Sequence, residues 1–303
     1  MKLQKLENYS IPDEQELSCD LIIAYSCLEP RSSNILKRLK LSKGKVFIIE
    51  DNKTSPAFLE QAGHIDNIYL NKHTYTEAIL AILSNLEKDY KIVLDISCIP
   101  HFIMAEILHI ISTTESKYQI EVVVLYSLAE FTPPSTLSFA NESIEPVHKN
   151  FAGWSSPETK PTSLILGLGY EPNKAEGASE YFEPSDQWIF IPRSPIPEFL
   201  GQVLCNNSNL INKTDDDRII EYNVSNPEIT YGQIELVISS LAQKSNPVLL
   251  PFGPKIFFFL CLVQCLTHPE LGVWRVTGVG SQISQDVHAS KYIIGVRCIF
   301  SQR

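Results

Sequence analysis

The sequence is poor in positive charge: 25 Lys and Arg stand against 35 Asp and Glu, for a formal net charge of −10. Binding to a nucleic-acid backbone runs on basic stripes and counterion release, so this balance argues against a long nucleic acid as partner. It leaves room for a small anion, which backbone amides at a helix N-terminus can hold whatever the global charge. Long hydrophobic runs are missing too. The most apolar stretch, residues 248–266, is broken by Pro251, Gly253, Pro254 and Lys255. What remains is too short to span a bilayer, so no membrane partner is expected and the stretch reads as a buried strand, a turn and a helix. Residues 1–20 are polar and carry no apolar core of a secretory leader, which predicts a cytoplasmic protein. Seven cysteines occur without CxxC spacing and mostly inside apolar segments, as small buried hydrophobes do in a reducing compartment. No metal site is expected from them, and Glu106 with His109 on one helix face lacks a second such pair. The Asp215-Asp216-Asp217 run reads as a solvated loop. Both nucleotide fingerprints are absent: there is no Walker pattern, and Gly167-Leu168-Gly169 leads into Tyr170-Glu171-Pro172 with no third glycine. No bound cofactor is predicted.

What the sequence does have is apolar material, 44% of residues with 20% charged, and an internal repeat. An offset of 142 lays Leu21-Ile22-Ile23-Ala24-Tyr25-Ser26-Cys27-Leu28-Glu29-Pro30 on Ser163-Leu164-Ile165-Leu166-Gly167-Leu168-Gly169-Tyr170-Glu171-Pro172, with Glu-Pro at the same place. The same offset lays Val46-Phe47-Ile48-Ile49 on Trp188-Ile189-Phe190-Ile191. An offset of 155 aligns the helical stretches 78–86 and 233–241, and lays Val93-Leu94-Asp95 on Val248-Leu249-Leu250. The additional residues fall in an Asn- and Asp-rich loop at 205–218, where insertion is tolerated. Each copy continues into a long apolar helix, 101–112 or 256–267, and a further strand, 120–126 or 272–277. Strands and helices alternating in this way predict a mainly parallel sheet covered on both faces. The fold expected is α/β: two tandem Rossmann-like units related by a pseudo-twofold internal duplication. The first unit is placed at 1–135 and a Pro-, Ser- and Asn-rich linker at 136–161. The second unit, at 162–303, ends in an added antiparallel strand at 292–299.

Open parallel sheets bind ligands beyond the carboxyl ends of their strands. In the first copy those ends supply Tyr25, Ser26, Glu29 and Arg31, then Asp51, then Asp95, Ser97, Cys98 and His101. In the second they supply Gly169 and Glu171, then Arg193 and Ser194, then Phe252, Gly253 and Lys255. Asp95 ends an apolar strand, and an acid there must find a partner or water, so it is expected to act in the site or to organise it. Ser97 and Cys98 stand before Pro100, which suits a first helical turn; a structural cap and an anion contact both fit Ser97. Gly253 would let a ligand approach the backbone, and Lys255 would supply a point charge for phosphate.

Asp95-Ile96-Ser97-Cys98-Ile99-Pro100-His101 and Phe252-Gly253-Pro254-Lys255, together with Glu29-Pro30 and Glu171-Pro172, form a pattern that resembles the CARF and SAVED families. Those are sensors of cyclic nucleotides or oligonucleotides in prokaryotic antiviral defence, and SAVED-type proteins fuse two such units. The Gly-Gly usual in the CARF turn is absent from the first copy, and no effector domain follows. The resemblance implies a ligand-sensing or regulatory subunit that takes a nucleotide-like molecule at the strand ends and acts through a separate effector protein. Two other functions remain open at this stage. One is a nucleotide-processing hydrolase or transferase with its centre in the first unit, drawing an acid or base from Asp95, Glu29 or His101. The other is a protein-interaction scaffold.

Overall fold

The computed structural model describes residues 1–11, 18–39, 44–50, 67–71, 73–133, 141–153, 160–278 and 287–302. The chain divides into two units, one of Met1–Glu130 with Ile283–Arg303 and the other of Phe131–Gln282. The second unit is therefore inserted, in sequence, between the last two strands of the first.

The first unit is built on a seven-stranded sheet: β1 (Lys2–Tyr9), β2 (Leu21–Ser26), β3 (Lys45–Glu50), β4 (Asn67–Asn71), β5 (Tyr90–Asp95), β6 (Ile120–Ala129) and β13 (Ala289–Ser301), in the order β1-β13-β6-β5-β2-β3-β4. β2 is buried along its whole length, as its Leu-Ile-Ile run requires of a central strand covered on both faces. From β2 the chain steps outward to β3 and β4, then returns to place β5 and β6 on the other side, all parallel. The switch point lies between β2 and β5. Helix His101–Thr113 covers one face; its buried Ile103, Met104, Ile107, Leu108 and Ile111 recur at helical spacing. A second cluster gathers Ile35 and Leu39 over Ile22, Val46, Ile48, Val93 and Val123.

The second unit repeats this layout with β7 (Asn141–Pro146), β8 (Thr162–Gly167), β9 (Asp186–Arg193), β10 (Ile219–Asn223), β11 (Asn246–Pro251) and β12 (Gly272–Gly278), in the order β10-β9-β8-β11-β12-β7. β7 is antiparallel to β12 and the other neighbours are parallel. Its switch point lies between β8 and β11. Strand register supports the duplication independently of residue similarity. Leu21 pairs with Ile92 in the first sheet and Ser163 with Pro247 in the second, which reproduces both offsets, 142 and 155. On the other side, Val46 sits beside Ile22 and Gln187 beside Leu164, so the copies differ by one residue from the ungapped alignment there.

Three sequence expectations are corrected. The C-terminal strand is antiparallel as read, but it joins the first sheet: β13 pairs with β6 from Ala289 to Phe300 and with β1 along its other edge. The edge of β12 is already taken by β7, whereas the ten-residue β6 offers a longer ladder. The stretch read as linker supplies β7 and the short 3-10 turn Lys149–Phe151, so it belongs to the second unit and the boundary falls at 130. The loop expected at 205–218 carries helix Ser208–Asn212 and the end of helix Glu198–Asn206. Among the described residues no helix is long and apolar enough to cross a membrane.

Candidate functional site

In the first unit β2 ends at Ser26 and the chain turns through Cys27, Leu28 and Glu29 into a 3-10 turn, Pro30–Ser33. Proline opens it, where its missing N–H costs nothing. That turn carries Arg31 to the ends of β5 and β6, where only 7% of the residue is exposed. Its Nη1 donates to the Ser127 carbonyl across 3.2 Å and its Nη2 to Glu29 Oε2 across 3.0 Å. The guanidinium carbon lies 5.9 Å from the centre of the Tyr126 ring. Burial works against the Arg31 charge, but Tyr126, Cys98 and Glu29 outweigh it and hold the pKa above its ordinary value. Arg31 is a fixed cation.

Around it a chain of hydrogen bonds ties the strand ends together. Asn34 Nδ2 donates to Ser127 Oγ at 2.7 Å, the Ser127 amide to Ser97 Oγ at 2.9 Å, and the Ser97 amide to Asp95 Oδ1 at 2.9 Å. The Cys98 thiol lies 3.5 Å from Glu29 Oε2, and Cys27 Sγ, a Glu29 oxygen and Cys98 Sγ all fall within 4.8 Å of one another. Ser26 Oγ and Arg31 Nε, both buried, meet no hydrogen-bond partner among the described residues.

Of the residues nominated from sequence, the fold thus brings Ser26, Glu29, Arg31, Asp95, Ser97 and Cys98 to one switch point. Asp95 fastens the turn that follows β5 by accepting the Ser97 amide. Ser97 is no helix cap: the helix begins at His101 behind Pro100, and the Ser97 hydroxyl serves β6. Tyr25 is buried within β2 and His101 is half-buried at the helix start. Asp51 lies outside the described residues. Ser127, Asn34, Tyr126 and Cys27 were missed. A signal existed for Ser127, a lone hydroxyl in the apolar run Val124-Leu125-Tyr126-Ser127-Leu128, whereas Cys27 read as one more small buried hydrophobe. Away from the site, Glu106 accepts a hydrogen bond from the Tyr75 hydroxyl.

At the second unit's switch point two loops of the chain approach each other closely. A Cβ on Gly169 would run into the Phe252 carbonyl oxygen, and one on Gly253 would stand 2.8 Å from the Leu168 carbonyl oxygen. Glycine at both positions lets the loops after β8 and β11 press on each other, and Phe252 takes part in that contact through its carbonyl. Asn207 Nδ2 adds a bond to the Gly169 carbonyl at 2.9 Å. Lys255 opens its helix behind Pro254, as His101 does behind Pro100. Glu171 is half-exposed and pairs with Lys174, so it does not play the part of Glu29. Arg193 and Ser194 line a different feature, an open groove of about 500 Å³ at the ends of β9 and β10 with Pro195, Glu221, Tyr222, Asn223 and Ser225. Across it Arg193 holds Glu221 with Nε to Oε2 at 2.8 Å and a second bond from Nη2 to Oε1.

Fold and site define an α/β protein of two Rossmann-like units, with a polar switch point in the first and tightly apposed loops at the second. No protein-family model matches the sequence, and no curated protein matches it. Among solved structures the chain is similar to the cytoplasmic domain of a prokaryotic cation chloride cotransporter at 11% identity, covering 89% of this chain and 99% of that one, with a TM-score of 0.27. A likeness of that size carries no argument about function.

Proposed function

We propose that the first unit is a sensor domain that binds a small, nucleotide-like anion at the carboxyl ends of β2, β5 and β6, and that the chain acts through a separate effector protein. The resemblance to CARF and SAVED proteins suggests prokaryotic antiviral defence as the setting. The observation that carries this reading is Arg31. Placing a guanidinium under protein and pairing it with Glu29 costs desolvation that a pair of apolar residues would avoid, so stability alone is a poor reason for it. It sits where open α/β sheets take their ligands, its buried Nε has a donor to offer, and Ser26 Oγ, at the end of β2, is buried and in the same condition. Asp95 and Ser97 are tied into the turn, which favours recognition over acid-base chemistry at those groups.

The test is a thermal-shift and mass-spectrometry screen against mono-, di- and cyclic nucleotides. A ligand at a hundred times its dissociation constant stabilises by about 2.7 kcal/mol, which is readily measured. Stabilisation without turnover, lost in Arg31→Met, is the expected result. Turnover of a nucleotide would make the protein an enzyme, and neither response would point to a protein-binding scaffold.

A further inference from the structure

We propose that Cys27, Glu29 and Cys98 form a binding site for a thiophilic divalent metal, of the zinc class, at the switch point of the first unit. The three come from two separate loops, 71 residues apart in sequence between the cysteines, and only the crossing of β2 beside β5 brings them together. Cys27 and Cys98 are buried, at 7% and 9% exposure. Their sulfurs and a Glu29 oxygen lie within 4.8 Å of one another. Zinc bonds of about 2.3 Å to sulfur and about 2.0 Å to oxygen, set tetrahedrally, require an S···O edge of about 3.5 Å and an S···S edge of about 3.8 Å. The Cys98–Glu29 separation is 3.5 Å already.

Charge supports the same assignment. Binding would release two thiol protons to solvent and leave two thiolates, one carboxylate and one divalent cation, a net charge of −1. Arg31 stands against that centre through its 3.0 Å bond to Glu29 and cancels the charge. A carboxylate has about four lone-pair sites, so Glu29 can hold the metal and keep Arg31, in the way that ligating carboxylates are commonly held by a further hydrogen bond. Two sulfurs and a carboxylate select zinc or its surrogates over magnesium or calcium, which take oxygen. Three protein ligands leave the fourth position for water or an incoming anionic group. The proposal does not rest on the nucleotide reading, and its test contains no nucleotide.

The 303-residue chain, stripped with chelator and titrated with Co²⁺, is expected to develop a thiolate-to-cobalt charge-transfer band and the intense visible absorption of tetrahedral cobalt. The bands saturate at one equivalent, disappear on adding Zn²⁺, and are lost in Cys27→Ser and Cys98→Ser. They persist in Cys205→Ser, whose thiol is exposed and elsewhere. Glu29→Gln keeps the cysteines and is expected to weaken cobalt binding at least tenfold. Should either cysteine variant fail to fold, X-ray absorption on zinc-loaded wild type decides instead, with two sulfur neighbours at about 2.3 Å expected. Absence of the charge-transfer band, its survival in both folded cysteine variants, or a zinc shell without sulfur would overturn the assignment.

Discussion

Replacing Gly167 by alanine sets a methyl group 2.6 Å from Cδ1 of Phe257, and closer still to Cε1. The ring has nowhere to retreat: Phe257 is fully buried, with Phe190 at 5.4 Å and Tyr222 at 4.8 Å between ring centres. Interiors pack to near crystal density, so an added methyl must push side chains off their rotamers, at about 1–3 kcal/mol. At roughly 2–4 °C per kcal/mol for a unit the size of the second, Phe131–Gln282, Gly167→Ala should lower its melting temperature by roughly 2–12 °C. Phe257→Leu alone leaves a cavity and costs about 1–3 kcal/mol. Together the two changes should cost less than their sum by about 1 kcal/mol or more, because shortening the ring makes the room the methyl needs. Tryptophan fluorescence isolates the effect, since all three tryptophans, Trp154, Trp188 and Trp274, fall within the second unit. Strict additivity of the two substitutions, or an unshifted Gly167→Ala, would refute the packing argument.

Two predictions concern the first unit's edge and the thiols, beside the Arg31→Met effect given above. Arg297 of β13 holds Glu7 of β1 and Glu121 of β6, each at 2.7 Å, so Arg297→Met should loosen both ladders and lower stability at neutral pH. Hydrogen bonds from Lys5 and Arg297 hold the Glu7 pKa below its usual value; for Glu121, burial raises the pKa but Arg297 and Lys91 outweigh it and the net shift is downward. Their contribution is therefore complete above the unfolded carboxylate pKa of about 4.3 and is lost as pH falls through the lower folded values. Acid titration of stability should show the wild-type advantage over Arg297→Met shrinking below about pH 4; an advantage that grows there would contradict the ion-pair account. In native alkylation at pH 8, peptide mapping should find exposed Cys205 modified first. Cys261, Cys265 and Cys298 should resist, being sealed in apolar surroundings that raise their pKa, and so should Cys19, pushed up to about 11 by burial. Modification of Cys298 ahead of Cys205 would contradict the burial described.

The parallel core was legible because its strands are local, apolar and bounded by turns. Leu21-Ile22-Ile23 and Val93-Leu94-Asp95 could be placed from their own composition, and the offsets of the repeat matched the register that later joined them. What escaped was decided between distant residues. β4 and β10 are short and half-exposed, so they carry no continuous apolar run. β13 has a readable alternation, but alternation names no partner, and the free edge of β6 lies 160 residues upstream. In the site the sequence offered Arg31 and Glu29 as strand-end residues, yet their meeting with Cys98 depends on the crossover that sets β5 beside β2. Gly253 shows the converse: glycine signals that something comes close, and only the fold says that it is the Leu168 carbonyl.

The insertion of the second unit between β6 and β13 fixes an order of events at the ribosome. All six strands of the second sheet, β7 to β12, emerge before β13 exists. Until then β6 waits with an unpaired hydrogen-bonding edge and an apolar face lacking Val296, Cys298 and Phe300. The half of the molecule made first is thus the half completed last. A chain interrupted after residue 282 would leave a finished second unit and an adhesive first one, prone to capture by chaperones or by another nascent copy.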